Sequence, residues 1–347
     1  MPLHEGRDYV QTPLGDNIDK SSMKLLKAAF DVASDKNVVS SPLGLMTLLA
    51  LYNSGAGSGT REEITKFLGG SDYESVSNSF RDLSGQFSQV APEALTVANK
   101  VYVSKKYSLQ DTFKATALSY RSEVDTLDFS QPKAAAAEIN EWGHWFVPFK
   151  SEETKDKDFY VSESTAVKKP MMHLLKPLFY TVSTELGARL VELPYKENGF
   201  RMVVVLPDKI DGLPLVLEKA AEMGVLNDVF NLKPSRSAVD LDMPKFDIKT
   251  KLDFNIILPK IGVSKLFSES AGGIVKGKPL TVSKAFQEAF IKVDEEGATA
   301  GAFTGMVIVL KSLRSRPPQP IKFTVDHPFL YLILHEDKIL FTGTYTQ

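Results

Sequence analysis

Apolar and polar positions recur with a helical period through the first seventy residues. Apolar side chains stand at 23, 25, 26, 29, 30 and 32, close to a 3.6-residue repeat, and predict a helix over 23–33. Ser41 before Pro42 sets a capping residue type ahead of a helix-starting proline. The almost wholly apolar run 43–51 then predicts a helix buried on all sides. Thr60-Arg61-Glu62-Glu63 has the spacing of a capping box, so a further helix opens there and stops at Gly69-Gly70. The pattern changes to strand at 95–103, with helices again at 110–120 and 133–142. After Phe159 strands dominate: 161–167, 179–185, 189–194, 202–206, 238–246, 283–293, 321–325, 329–335 and 338–344, with one helix near 213–224. Early helices followed by many strands predict an α+β fold, with helices packed on large antiparallel or mixed sheets. No repeat, low-complexity tract or linker interrupts the sequence, so residues 1–347 read as a single domain.

One segment fits no core pattern. Asp294-Glu295-Glu296-Gly297 leads into Ala298-Thr299-Ala300-Gly301-Ala302, where no side chain exceeds threonine in size. Small residues bury little area each. Such a run is either a flexible linker or a strand made to slide between two others. In an extended chain Ala298, Ala300, Ala302 and Thr304 share one face, and the bulky Phe303 falls on the other. A mostly apolar stretch then reaches Lys311-Ser312-Leu313-Arg314-Ser315-Arg316 and the cluster Pro317-Pro318-Gln319-Pro320. The basic residues read as exposed protease bait or as a solvated turn.

Composition narrows the chemistry. The chain is 43% hydrophobic and 24% charged, the balance of a globular protein with a sizeable core. Its 41 basic and 43 acidic residues leave a net charge of -2, so no overall field draws it to nucleic acid or to an anionic membrane. There are no cysteines, which excludes disulfides, thiolate nucleophiles and cysteine-ligated metals. His4, His144, His173, His327 and His335 are scattered without metal-ligand spacing, so no metal or cofactor is expected. No nucleophile elbow or phosphate-binding glycine loop occurs, and no catalytic residue can be named. Gly55-Ala56-Gly57-Ser58-Gly59 reads as an interhelical turn, the Met171-Met172 pair as core, and Trp142 with Trp145 as a shared buried face. No secretory-type apolar run, membrane-length apolar window or Asn-x-Ser/Thr site is present. The expectation is a cytoplasmic protein, with a mature extracellular chain whose signal has been removed as the alternative.

At this point the residues resemble a family. Asn37-Val38-Val39-Ser40-Ser41-Pro42-Leu43, the block from Gly55-Ala56 to Thr60-Arg61-Glu62-Glu63-Ile64, and Ala98-Asn99-Lys100-Val101-Tyr102 are similar to amino-terminal signatures of serpins. So are Val167 to Met172, Glu192-Leu193-Pro194-Tyr195, Met243-Pro244-Lys245-Phe246 and Leu266-Phe267, and later Asp326-His327-Pro328-Phe329-Leu330 with Ile339-Leu340-Phe341-Thr342-Gly343. Each is weak alone, but in this order they span nearly the whole chain, and the chain looks like an invertebrate intracellular-type member. The resemblance implies a monomeric serpin-like fold with an exposed reactive loop near 297–320, acting as a suicide substrate. The implied partner is a trypsin-like serine protease, or a papain-like cysteine protease. The implied hinge is Glu295, Glu296, Gly297, Ala298, Thr299, Ala300, Gly301 and Ala302, whose small side chains let the cleaved loop enter the main sheet as a new strand. The cleaved bond falls after Arg314, before Ser315, when counted back from Pro328-Phe329. Counted forward from Gly297, it falls after Lys311, before Ser312.

The chain also departs from the family. Glu138-Ile139-Asn140-Glu141-Trp142 runs directly into Gly143-His144-Trp145-Phe146-Val147-Pro148-Phe149. The resemblance places half a helix and a central strand of the main sheet between these motifs, roughly thirty residues at strand and helix rises. That strand flanks the insertion site, so its loss implies a non-inhibitory or inactive isoform as the alternative function. Gly44 and Gln287 stand where the family usually has serine and often has histidine, and both read as mild departures.

Overall fold

The computed structural model describes residues 13–87, 100–104, 108–120, 122–127, 144–230, 232–297 and 319–347. Along them run eight α-helices and fifteen strands. First come α1 (Pro13–Val32), β1 (Val38–Ser40), α2 (Pro42–Asn53), α3 (Ser58–Phe67), α4 (Tyr73–Phe87), β2 (Lys100–Ser104), α5 (Asp111–Ser119) and β3 (Glu123–Leu127). Then follow β4 (Lys155–Ser162), β5 (Thr165–Lys176), β6 (Phe179–Ser183), β7 (Ala188–Pro194), β8 (Phe200–Pro207), α6 (Leu213–Met223), α7 (Leu226–Phe230) and β9 (Lys233–Pro234). Last come β10 (Val239–Pro244), β11 (Phe246–Asp253), α8 (Phe254–Lys260), β12 (Phe286–Val293), β13 (Ile321–Thr324), β14 (Phe329–His335) and β15 (Lys338–Tyr345). This is the α+β architecture that the pattern predicts.

A seven-stranded antiparallel sheet in the order β1-β15-β14-β8-β7-β6-β9 holds the core. All eight residues of β8 are buried, as are six of the seven in β14. Their near-continuous apolar sequences suit strands covered on both faces rather than one. The single ionised group in β8, Arg201, meets Glu192 of β7 at 3.1 Å. A buried charge requires such a partner. A second, mixed sheet has the order β13-β10-β5-β4, with β13 parallel to β10. Two further pairs stand apart among the described residues: β11 with β12, antiparallel, and β2 with β3, parallel.

Several local expectations change. The stretch 161–167 is not one strand: β4 ends at Ser162 and β5 begins at Thr165, with a turn at Glu163-Ser164. The polar run there has turn chemistry. The stretch 238–246 divides at Lys245, after Pro244, where the chain passes from the mixed sheet into β11. Pro244 has no N–H with which to continue the ladder. The capping box at Thr60 is also absent, because α3 already opens at Ser58. Glu269 caps it from a distance, accepting from the N–H groups of Gly59 and Thr60. Glu63 returns the favour, accepting from Ser264 N and Lys265 N at 2.7 and 2.8 Å. The helix expected at 133–142, and residues 95–99, lie outside the described residues. Helices α4, α7 and α8 have no counterpart in the pattern reading; Pro259 inside α8 conceals that helix from sequence.

Gly343 has a packing reason to be glycine. It lies opposite Tyr331 on one side and Val39 on the other. The fully buried Tyr331 crosses it to donate a hydrogen bond to Val38 O at 3.0 Å. A β-carbon at 343 would run into the Tyr331 hydroxyl and the Val38 carbonyl. Gly343→Ala is expected to lower the unfolding midpoint through overpacking of about 1–3 kcal/mol. Tyr331→Phe keeps the ring and gives up one hydrogen bond, worth about 1 kcal/mol. Urea melts of the two variants should rank Gly343→Ala as the more damaging. Equal midpoints would show that β15 has room there.

Candidate functional site

The small-residue segment leaves the described structure at the end of β12, and that end is heavily tied. Residues 294–297 form a tight turn in which Asp294 N and Gly297 O, and Gly297 N and Asp294 O, pair at 3.3 and 3.4 Å. Glu296 N donates to Asp294 Oδ1 at 3.1 Å. Gly297 has φ of 117°, a conformation that glycine alone adopts without strain.

A second stretch, 144–149, clasps this turn. Trp145 N donates to Glu296 O at 3.0 Å, Phe149 N to Glu295 O at 2.9 Å, and the Trp145 indole Nε1 to Asp294 O at 2.9 Å. His144 bridges Gly297 through the main chain. The Trp145 ring is fixed in turn: it stacks on Tyr195 with centroids 4.6 Å apart and meets Phe149 edge-on at 6.3 Å. Phe146 N and His144 O pair with Pro194 O and Lys196 N, which binds the clasp to the end of β7.

Glu295 carries the charge at this joint and is 8% exposed. Lys245 Nζ approaches its Oε2 at 2.6 Å, and Thr154 Oγ1 donates to its Oε1 at 2.8 Å. Burial pushes the Glu295 carboxyl up, but the hydrogen bonds from Lys245 and Thr154 outweigh that and hold it below the ordinary glutamate range. Lys245 sits where the chain leaves β10 for β11, and Thr154 immediately precedes β4. One carboxylate therefore joins β12, the β10–β11 corner and the start of the mixed sheet.

Lower down, β11 and β12 are pinned to the start of the core. Gln287 Oε1 accepts from Ser40 Oγ at 3.1 Å and Ser41 N at 2.9 Å, and its Nε2 donates to Ser41 O at 3.0 Å. Val39 N donates to Thr250 Oγ1 at 3.0 Å. Gln287 is thus a three-bond tie, more than the mild departure expected of it. Ser41 makes no side-chain cap for α2.

Of the hinge named from sequence, Glu295, Glu296 and Gly297 come together here. Ala298, Thr299, Ala300, Gly301 and Ala302, and the bond candidates Lys311, Ser312, Arg314 and Ser315, lie outside the described residues. Sequence reasoning missed Lys245, Thr154 and Phe149 as partners. Lys245 stood in a quoted motif without a role, and the need of a buried carboxylate for a cation was the available signal; Thr154 gave none. His173 lies 3.1 Å from Asp242 and 3.6 Å from Asp240. Among the described residues, no group of three His, Cys, Asp or Glu side chains is arranged to hold a metal.

The Glu295 tie has a pH signature. A carboxyl lowered on folding adds stability above its ordinary value of 4.5, and that gain is lost as pH falls through the folded value. In a Trp142→Phe background Trp145 is the sole indole, and its emission should shift red on acidification below that range. Lys245→Ala should show the red-shifted emission already at neutral pH. A Trp145 spectrum that ignores both changes would show that the tie does not hold the turn.

Comparison with known proteins identifies the family. The family described as Serpin (serine protease inhibitor) matches residues 16–144 and 143–347, two stretches that meet at the junction singled out in the sequence. Antichymotrypsin-2 of Bombyx mori is 30% identical over 346 residues, covering 89% of this chain and 92% of that protein. Leukocyte elastase inhibitor of Equus caballus is 27% identical, covering 94% and 97%. The crystal structure of Serpin48 from the insect Tenebrio molitor superposes with a TM-score of 0.80 at 28% identity, covering 99% of this chain and all of that one. Family match, relatives and fold coincide over nearly the full length: the chain belongs to the serpin family.

Proposed function

We propose that this chain inhibits a protease as a suicide substrate, presenting a basic bait residue to a trypsin-like serine protease. Membership places it in a family of protease inhibitors rather than of enzymes. Relatives bear the names antichymotrypsin, antitrypsin and elastase inhibitor, which point to serine proteases as the target class. A papain-like cysteine protease is the alternative target, and the working unit is a single chain. The observation that carries this reading is the turn at 294–297, which is clamped by Trp145, Phe149 and Lys245 and immediately precedes the small-residue run in sequence. Small side chains at Ala298, Ala300 and Ala302 let such a strand enter a sheet with no steric block and no buried charge. The far end of the loop runs into β13, held parallel to β10.

A second reading, an inactive or non-inhibitory isoform, has its own support. The family match falls in two pieces meeting at 143–144, and β2–β3 shares no ladder with β11–β12 among the described residues. An inserting strand gains most when it finds partners on both sides, since each buried main-chain group left unpaired costs about 1–3 kcal/mol.

Incubation with trypsin should give an SDS-resistant covalent complex. Ala300→Arg should abolish the complex while leaving the cleavage rate similar, because insertion would then bury an unpaired charge. Mass spectrometry of the released fragment identifies the bond: one starting at Ser315 assigns Arg314, and one starting at Ser312 assigns Lys311. Cleavage without any complex would select the isoform reading.

Thermal melts give an independent measure. If the cleaved loop enters the sheet as a full strand, the cleaved protein should melt tens of degrees above the intact one, from the added hydrogen bonds and buried area. A change of only a few degrees would mean that no two-sided site receives the loop.

A further inference from the structure

Away from the loop, helix α1 is fastened to the α6–α7 joint by a carboxyl group. Asp19 of α1 is 4% exposed. Its Oδ2 accepts from Val225 N at 2.8 Å and from Leu226 N at 2.9 Å. Its Oδ1 is equally buried and has no hydrogen-bond partner among the described residues. The joint is built around this contact. Gly224 ends α6 with φ of 83°, its N–H donating to Ala220 O at 2.8 Å, and a β-carbon there would run into the Asp19 carboxyl. Among the described residues no cation is bonded to the group, unlike Glu295 with Lys245 and Glu192 with Arg201.

We propose that Asp19 is a proton-operated fastener: as a neutral acid it seats α1 on the Gly224 joint, and as a buried anion it strains that seat. In the neutral form Oδ2 still accepts both main-chain N–H groups, and the proton resides on Oδ1, the oxygen that no donor reaches. In the anionic form the two N–H groups meet the charge, but the desolvation of Oδ1 is uncompensated.

The electrostatics agree with that geometry. Burial is the largest influence and raises the carboxyl from 3.8 to about 7, against the lowering effect of the Leu226 and Val225 N–H groups. The charged groups that act on it are Asp16, which raises it, and Lys20, which lowers it, both on α1. The α6–α7 side faces it with main-chain N–H groups, and the charges carried there, Glu218, Lys219, Glu222 and Asp228, are not among those acting on it. The neighbouring α1 residues Asn17 and Ser21 are engaged elsewhere, with Gly69 O and Phe67 O. Because the folded value lies above the unfolded one, the contribution to stability is complete below 3.8 and is lost as pH rises through about 7. Near neutrality the fastener is therefore half set.

Two measurements test this. Carboxyl carbon chemical shifts of the wild-type protein should show Asp19 titrating near pH 7; a midpoint near 4 would overturn the proposal without any variant. Asp19→Asn keeps an oxygen acceptor for Val225 and Leu226 and cannot ionise. Its melting temperature should approach or fall below that of wild type at pH 5, and exceed it by several degrees at pH 8. Amide exchange at Val225 and Leu226 should slow relative to wild type only at the higher pH. Melting curves that stay parallel from pH 5 to 8 would also overturn the proposal.

Discussion

Glu295 is the group on which the end of β12 hangs. A carboxylate removed from water has to be met by donors, and the donors come from parts of the chain distant in sequence: Lys245 at the β10–β11 corner and Thr154 before β4. The bond lengths matter less than the origins of the partners. Because one charge draws three elements together, the end of β12 has a single place to stop, and the Trp145 clasp is built on that place. Arg201 with Glu192 applies the same constraint between β7 and β8.

The core supplies the rigidity against which this joint works. β8 and β14 are adjacent and buried on both faces, so they cannot slip without exposing a continuous apolar surface. The pair β11–β12 is attached to that core through side chains at its lower end, Gln287 to Ser40 and Ser41, and Thr250 to Val39. At its upper end it is held by Glu295. A strand pair fixed at both ends is a firm edge.

The two proposed readings rest on different stretches of the chain. The turn at 294–297 and the small residues after it suit insertion. Among the described residues β2–β3 shares no ladder with β11–β12. The competing readings differ in one physical quantity, the number of ladder partners available to the loop.

Much of the architecture could be read from sequence, because strands such as 329–335 and helices such as 43–51 declare themselves by apolar continuity or period. The segment 298–302 drew attention for a similar local reason, since a run of small residues after two acids has no place in a core, but it lies outside the described residues. What the sequence determined by itself was therefore local: element type, the glycine at 297, and the family order of its motifs. Tertiary structure alone decided the partners. Glu269 rather than Thr60 caps α3, because capping needs an acceptor at the right point in space and not in the same helix. Lys245 and Thr154 meet Glu295, and Gln287 meets Ser41, across separations of 50 to 246 residues that no periodicity encodes. Local pattern reports which residues must be buried, while which donor answers a buried acceptor depends on how the sheets are stacked.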